Sequence, residues 1–199
     1  MKPKFSQIPT LSGRKVHLRP IEEQDIYTLW EWASDPEEIY LWRSRRTPVS
    51  LEIFKQELQS MVQDDLLHLI VEEKENKNII GWIYAYGISS WEHRIFVSLY
   101  IVAQARKTLA AQEAGMILFD YLFSYIPLRK IAAEVYSYNE VSLRFLQSAG
   151  FVVEGNLREE RYFAGHYYDI VRLSILASEW PEIRKKVKES IDVALVRNT

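Results

Sequence analysis

Residues 101–123 constrain the fold more than any other part of the chain. The sequence indicates the end of a strand, a basic turn with Arg106 and Lys107, and an amphipathic helix from about Leu109 to Ser124. The first turn of a helix has N–H groups without intrahelical partners and a partial positive charge, so it attracts phosphate. A helix that follows a strand in this way predicts a crossover to a parallel neighbour in the same sheet.

The other segments predict strands and helices in the order β-α-α-β-β-β-α-β-α-β-β. Apolar residues at helical spacing follow Ser50, so Ser50 is expected to be the N-cap of the second helix. Short alternating segments bounded by turn residues predict the strands. The fold class is therefore α+β, with a twisted, mixed, mostly antiparallel sheet flanked by helices. One parallel pair is expected where the long helix joins two strands.

Composition limits the classes of function. The 199 residues are 48% hydrophobic and 26% charged, which predicts a single domain, or one domain with additions. The net charge is −2, so no nucleic-acid partner is expected. There is no cysteine, no apolar run long enough to span a membrane and no metal-ligand spacing among the four histidines. A cytoplasmic protein without a metal or a membrane partner is the expectation.

An ordered set of short motifs resembles the GNAT N-acetyltransferase superfamily. The motifs include the Arg106–Ala111 turn, Asn139 with Ser142, and the Gly150-Phe151 pair, and they extend over roughly residues 14 to 183. The start, Leu18-Arg19-Pro20 with Asp25, is similar to the RimJ/RimL-type branch, which acetylates protein N-termini. This resemblance implies a GNAT-like acyl-CoA N-acyltransferase fold, with acetyl-CoA as co-substrate. It also implies a domain core over about 14–183, followed by a C-terminal helical extension.

The resemblance also implies which residues bind the cofactor. Backbone N–H groups of the turn would hold the pyrophosphate, a splayed strand edge would pair with the pantetheine arm, and an N–H near Tyr100 or Ile101 would stabilise the oxyanion. The implied set is Tyr100, Ile101, Val102, Arg106, Lys107, Thr108, Leu109, Ala110, Ala111, Asn139 and Ser142.

The chain departs from the family pattern at three positions. Leu109 replaces the glycine of the pyrophosphate loop, Phe96 replaces a glutamate that relatives often carry, and Leu146 replaces a tyrosine acid. A leucine in the loop would either point away from the phosphates or crowd them. No carboxylate lies between Arg94 and Val102, so the usual base is absent from its usual strand.

Catalytic candidates therefore come from other segments. Ser142 is expected to protonate the leaving thiolate, although it also fits as the N-cap of the helix that ends at Ser148. Asn139 either bonds the cofactor arm or terminates a strand. A water relay, or a loop residue such as Glu160 or His93, is expected to handle the amine proton.

Three functions remain open. The first is acetyl transfer from acetyl-CoA to a protein N-terminus or a small amine by direct attack. The second is transfer from another acyl donor, and the third is binding of a ligand or partner without catalysis. Many aromatic residues lie near the C-terminal strands, and they either pack in the core and on the sheet faces or together line an acceptor pocket: Tyr136, Tyr138, Tyr162, Phe163, Tyr167 and Tyr168. A second aromatic group is a candidate to line the pocket from the helical side: Trp30, Trp32, Tyr40 and Trp42. The chain is expected to be a monomer or a homodimer.

Overall fold

A computed structural model describes residues 10–41, 47–106 and 108–197 of the chain. Lys107, a predicted phosphate contact, lies outside the described residues. The strands are β1 (Val16–Pro20), β2 (Leu67–Glu73), β3 (Ile79–Ser89), β4 (Arg94–Ile101), β5 (Lys130–Tyr136), β6 (Val152–Phe163) and β7 (His166–Leu176). The α-helices are α1 (Ile26–Ser34), α2 (Leu51–Asp64), α3 (Ala110–Tyr125), α4 (Glu140–Ser148) and α5 (Trp180–Arg197). This order confirms the predicted one, with α5 as the C-terminal addition.

The seven strands form one sheet in the order β1-β2-β3-β4-β5-β7-β6. Every neighbouring pair is antiparallel except β4 and β5, which are parallel and joined through α3. The prediction of a mixed sheet with a parallel pair across the long helix is therefore confirmed. A parallel pair requires a crossover of a dozen or more residues, and α3 supplies it.

The parallel pair separates after a short contact. Its register contains Arg94 with Lys130, Ile95 with Ile131, and Phe96 with Ala132. Beyond that point β4 continues to Ile101 and β5 to Tyr136, but no pairing joins the two strands in the described structure. We call this opening, between residues 97–101 and 133–136, the β4–β5 gap.

Two apolar clusters hold helices on opposite faces of the sheet. Alternate residues of β4, such as Ile95 and Val97, pack in one cluster with Leu118 and Leu122 of α3. Trp82 of β3 belongs to the other cluster, which includes residues of α1 and α2. Because strand side chains alternate between faces, the neighbours of Ile95 and Val97 on β4 face the α1 and α2 side.

The helix starts confirm one sequence prediction and correct another. The Ser50 hydroxyl oxygen accepts a hydrogen bond from the Ile53 N–H at 3.3 Å, as expected for the N-cap of α2. In α4 the N-cap is Asn139, whose Oδ1 accepts from the Ser142 N–H at 3.1 Å. The interpretation of Ser142 as the N-cap is therefore wrong, since Ser142 is the third residue of the helix.

Candidate active site

A cavity of about 600 Å³ occupies the β4–β5 gap and extends between the helices above it. Both strand edges line it, through residues 97–101 of β4 and 133–136 of β5. Helix α3 contributes Ala111, Gln112, Gly115, Met116 and Phe119. An ideal Cβ on Gly115 would meet nothing within 4 Å, so the helix surface is open at this point. This volume is in the range of small-molecule binding sites.

The backbone of β4 presents hydrogen-bonding groups to the gap. The Val102 N–H donates to the Ile80 carbonyl at 2.9 Å, so this group faces β3. The N–H groups along a strand alternate in direction, so that of Tyr100, paired with Trp82, also faces β3. The N–H groups of Leu99 and Ile101 consequently point into the gap. Of the two oxyanion donors considered from the sequence, the geometry favours Ile101.

Arg106, at the turn before α3, already has partners in this structure. Its Nε donates to the Ile101 carbonyl at 2.8 Å, and its Nη2 lies 2.5 Å from Glu38 Oε2. The guanidinium also lies over the Tyr100 ring, 5.7 Å from the centroid. Burial, reinforced by Glu38, raises the pKa of Tyr100 above its ordinary value, so this phenol stays neutral. Arg106 lines the cavity while held by a carboxylate.

The turn itself tolerates the unexpected leucine. Leu109 has φ −72° and ψ −7°, a right-handed conformation open to every residue type. Its side chain is not among those that line the cavity. The N-cap is Leu109, and the Oγ1 of Thr108 just before it accepts from the Ala110 N–H at 3.2 Å. The backbone conformation therefore does not require glycine here.

The predicted cofactor residues divide into two groups. Six of them line the cavity: Tyr100, Ile101, Arg106, Ala111, Asn139 and Ser142. Val102, Thr108, Leu109 and Ala110 form the turn next to it and are not lining residues. Among the described residues the Ser142 hydroxyl has no hydrogen-bond partner, so it is available to a ligand in the cavity.

The two loop candidates for proton handling lie elsewhere. His93 is in the turn before β4, with φ 51°, and its carbonyl accepts from the N–H groups of Arg129 and Lys130. This turn is at the paired end of β4, away from the gap. Glu160 is exposed on β6. The structure does not bring either residue to the cavity.

A buried acid in the cavity was not assigned a role from the sequence. Glu134 of β5 lines the cavity, and its side chain is 2% exposed. Its Oε1 accepts from Arg172 Nε at 2.9 Å, across the β5–β7 pairing. The signal in the sequence was an acid within the strand Lys130–Tyr136, where the residues on both sides of Glu134 are apolar. Buried acids in clefts are candidates for a functional role.

Tyrosines line the side of the cavity opposite helices α3, α4 and α5. Tyr40, Tyr84, Tyr86 and Tyr136 are lining residues, and two of them, Tyr84 and Tyr86, were not expected from the sequence. The Tyr138 hydroxyl donates to the Tyr40 carbonyl at 2.6 Å and supports it from behind. Burial raises the pKa of Tyr138, which keeps the phenol a donor.

Other aromatic residues expected at an acceptor pocket take different positions. Phe163 stacks on the Tyr40 ring with centroids 5.6 Å apart, and Tyr138 also contacts Tyr168. Tyr162 and Tyr167 are 55% and 65% exposed on the β6–β7 hairpin. Most of these rings therefore support the pocket wall or face solvent, and Tyr40 and Tyr136 reach the cavity. Trp30 and Trp32 do not line it, and Trp42 lies outside the described residues.

The described residues contain no group of three His, Asp or Glu side chains placed to bind a metal ion. Within the same residues, no helix has both the length and the apolarity to cross a membrane.

Fold and cavity together define an acyltransferase of the GNAT type. The family model described as an acetyltransferase (GNAT) domain matches residues 18–171, and the chain belongs to this family. A crystal structure of a GCN5-related N-acetyltransferase from Brucella melitensis is 25% identical, with a TM-score of 0.77, covering 90% of this chain and 83% of that one.

Two named relatives extend the comparison. The SPbeta prophage-derived uncharacterized N-acetyltransferase YokL of Bacillus subtilis is 25% identical over 169 residues, covering 85% of this chain and 94% of YokL. The spermidine N(1)-acetyltransferase of Vibrio cholerae is 28% identical over 119 residues, covering 60% of this chain and 69% of the relative. A spermidine N-acetyltransferase from Vibrio cholerae solved with CoA and spermine has a TM-score of 0.76 at 23% identity, covering 83% of this chain and 98% of that one.

Proposed function

We propose that the chain transfers an acetyl group from acetyl-CoA to a small primary amine by direct attack of the amine. The observation that carries this proposal is the β4–β5 gap, which opens next to the start of α3. An amide-rich extended arm can pair with free strand edges as an added strand. Phosphates at the other end of that arm are favoured at the N-terminus of α3. The Vibrio cholerae neighbour solved with CoA supports the same donor.

Backbone groups of β4 would stabilise the charge that develops on the thioester oxygen. The N–H groups of Leu99 and Ile101 point into the gap and are fixed by the β3–β4 pairing. Donors held in place in a site that excludes water need little reorganisation as the oxyanion forms.

Proton transfer would involve Glu134 and Ser142. As the C–N bond forms and the C–S bond breaks, the amine nitrogen loses a proton and the thiolate gains one. Glu134 is a buried carboxylate in the cavity, held in place by its ion pair with Arg172, and would accept the amine proton directly or through water. Ser142 presents its hydroxyl to the same cavity from α4 and would donate to the sulfur. His93 and Glu160 have no part in this proposal.

The acceptor would have an apolar or aromatic body and one amine. Tyrosines form the wall opposite the helices, and Glu134 is the only acid among the described lining residues. A polyamine carries several positive charges, and electrostatic complementarity would demand several carboxylates. Spermidine, the acceptor of the Vibrio cholerae relative by its name, is therefore not the acceptor that we propose for this chain.

The RimJ/RimL-type resemblance gives no separate information on the acceptor. Arg19 and Asp25, which carry it, form an ion pair at 2.7 Å in which Asp25 is buried. These residues support the scaffold at the start of α1 and do not line the cavity. A protein N-terminus is therefore the second acceptor class to test. We further propose that the chain forms a single domain, because one seven-stranded sheet carries both apolar clusters.

Thiol release from acetyl-CoA tests the proposal with three acceptors: 2-phenylethylamine, spermidine and an apolar dipeptide with a free N-terminus. The highest kcat/KM is expected with 2-phenylethylamine. Glu134→Gln should lower kcat by about 100-fold, in the usual range for loss of a general base. Preference for spermidine would contradict the acceptor class. Thermal shifts with acetyl-CoA, longer acyl-CoAs and free CoA test the donor, and no shift with any of them would reject the function itself.

A further inference from the structure

Helix α5 lies outside the part of the chain that defines the family. The family model ends at residue 171, whereas α5 covers Trp180–Arg197. Two polar contacts join its start to α3. Trp180 Nε1 donates to Asp120 Oδ1 at 2.9 Å, and Arg184 Nε lies 2.7 and 2.8 Å from the two oxygens of Asp120. The beginning of α5 is thus fixed beside the C-terminal half of α3.

A second contact fixes the direction of α5. Asp192 pairs with Arg14 Nη1 at 2.8 Å. The Arg14 N–H in turn donates to Glu113, in the first turn of α3, at 2.7 Å. Helix α5 therefore runs antiparallel to α3, and residues between 184 and 192 lie along the N-terminal half of α3.

One face of α5 forms a wall of the cavity. Trp180, Ile183, Lys186, Val187 and Ser190 line it, and they recur at the spacing of three and four residues that marks one helix face. Trp180 and Ile183 are apolar and line the inner part of the cavity together with Phe119 and Phe151. Lys186 and Ser190 are exposed and follow toward the start of α3. The wall is therefore apolar toward Asp120 and polar on the side nearer the start of α3.

Lys186 is well suited to receive an anion at this position. Its ammonium forms no ion pair with any of the described residues. Ser190 adds a hydroxyl one turn later, and Gln112 of α3 lines the same part of the cavity. Arg106, the other cation among the described residues that line the cavity, is paired with Glu38. A free ammonium beside hydroxyl and amide donors is a typical arrangement for binding phosphate.

We propose that Lys186 and Ser190 form a phosphate subsite on α5 for the nucleotide end of acyl-CoA. The proposal rests on the proposed function, because it assumes that acyl-CoA occupies the cavity. It adds that the C-terminal helix, which the family model does not include, is part of the cofactor site of this chain. Two phosphate sources share this chemistry, the 3′-phosphate on the ribose and the pyrophosphate.

Calorimetry with three ligands separates the sources: CoA, 3′-dephospho-CoA and pantetheine. Lys186→Gln is expected to weaken CoA binding by about tenfold, corresponding to about 1.4 kcal/mol. If the 3′-phosphate is the partner, Lys186→Gln leaves the affinity for 3′-dephospho-CoA unchanged. If the pyrophosphate is the partner, CoA and 3′-dephospho-CoA weaken equally and pantetheine does not change. Either pattern supports the subsite.

Lys185→Gln and Lys188→Gln are matched controls, because both lysines are exposed on α5 and neither lines the cavity. They should change the affinity for CoA less than twofold. Equal effects of Lys185→Gln and Lys186→Gln, or no effect of Lys186→Gln, would overturn the subsite while leaving the proposed function in place. Failure of the wild type to bind CoA would reject both proposals together.

Discussion

Arg106 has a structural role in the fold and is also a candidate for binding phosphate at the cavity. Its guanidinium contacts the Ile101 carbonyl and Glu38, so a phosphate at the turn must compete with a carboxylate. Breaking a partly exposed ion pair costs about 0.2–1 kcal/mol, so a phosphate can replace Glu38 as the partner of Arg106 at a modest cost in free energy.

Glu38→Gln is therefore expected to strengthen acetyl-CoA binding by about two- to fivefold, because Arg106 is released for the phosphates. Calorimetry on the wild type and the variant measures the change. Glu37→Gln is the control, since Glu37 is exposed next to it. Weaker binding by Glu38→Gln would mean that Glu38 orients Arg106 for the cofactor.

Leu109 gives a second prediction at the residue scale. Its backbone is right-handed and its side chain does not line the cavity. Leu109→Gly should consequently change the affinity for acetyl-CoA by less than about threefold, because neither space nor φ demands glycine. The same calorimetric titration tests this. A large gain in affinity would show that leucine blocks the phosphate loop.

At the scale of secondary structure, the first turn of α4 contains one residue that stabilises the helix and one that is a candidate for catalysis. Asn139 caps the helix, whereas Ser142 presents a hydroxyl without a protein partner in the described structure. Asn139→Ala should lower the free energy of unfolding by about 1 kcal/mol. Ser142→Ala should leave stability nearly unchanged and reduce kcat more than it raises KM. Full turnover by Ser142→Ala would remove the proposed donor role.

Helix α3 is tied to the start of β1 through one carboxylate. Glu113 is 2% exposed and accepts from the backbone N–H groups of Arg14, Lys15 and Val16 at 2.7–2.9 Å. Gly13 leaves the room this requires, since a Cβ there would lie 2.5 Å from the carboxyl carbon.

Glu113→Gln should reduce the free energy of unfolding by about 2–3 kcal/mol, because hydrogen bonds to a buried charge are lost. Urea denaturation measures this. The control is Glu140→Gln in the first turn of α4, where the acid is exposed and pairs only with Arg144; that change should be about 0.5 kcal/mol or less. Equal effects would mean that Glu113 does not fix α3.

For the whole molecule, the network of Arg19, Asp25 and Glu72 contributes to the response to acid. Arg19 bonds Asp25 and Glu72, and it thereby joins the end of β1 to β2 and to the start of α1. The bond from Arg19 lowers the pKa of Glu72. Burial alone would raise the pKa of Asp25, but its bonds with Arg19 and Glu22 outweigh burial and lower it.

A carboxyl group whose pKa is lower in the folded than in the unfolded protein stabilises the fold at pH values above its ordinary pKa, near 4. This stabilisation is lost as the pH falls through the pKa of the folded state. Arg19→Gln should thus be destabilising at pH 7, and the difference from wild type should shrink toward pH 3. Urea denaturation at pH 7, 5 and 3 measures this. Arg144→Gln, in an exposed pair, is the control. A difference that does not depend on pH would contradict the proposed role of the network.

The sequence alone determined the order of the elements, the mixed sheet and the start of α2 at Ser50. These properties depend on local periodicity and capping, which neighbouring residues carry. It also indicated the turn before α3, since a strand, a basic turn and an amphipathic helix are contiguous. The sequence also showed that Leu18-Arg19-Pro20 resembles a family motif, but it did not show that Arg19 binds Asp25 and Glu72 in an ion network.

Only the tertiary structure decided which residues meet at the cavity. The divergence of β4 and β5 depends on pairing between strands separated by a helix, and it selects Leu99 and Ile101 as the N–H groups that face the gap. It also decides that Glu134 lies in the cavity while His93 lies at the paired end of β4. Helix α5 reaches the cavity because Asp120 and Arg14 hold it against α3. Contacts between distant segments carry no local periodicity, so they appear only when the chain is folded.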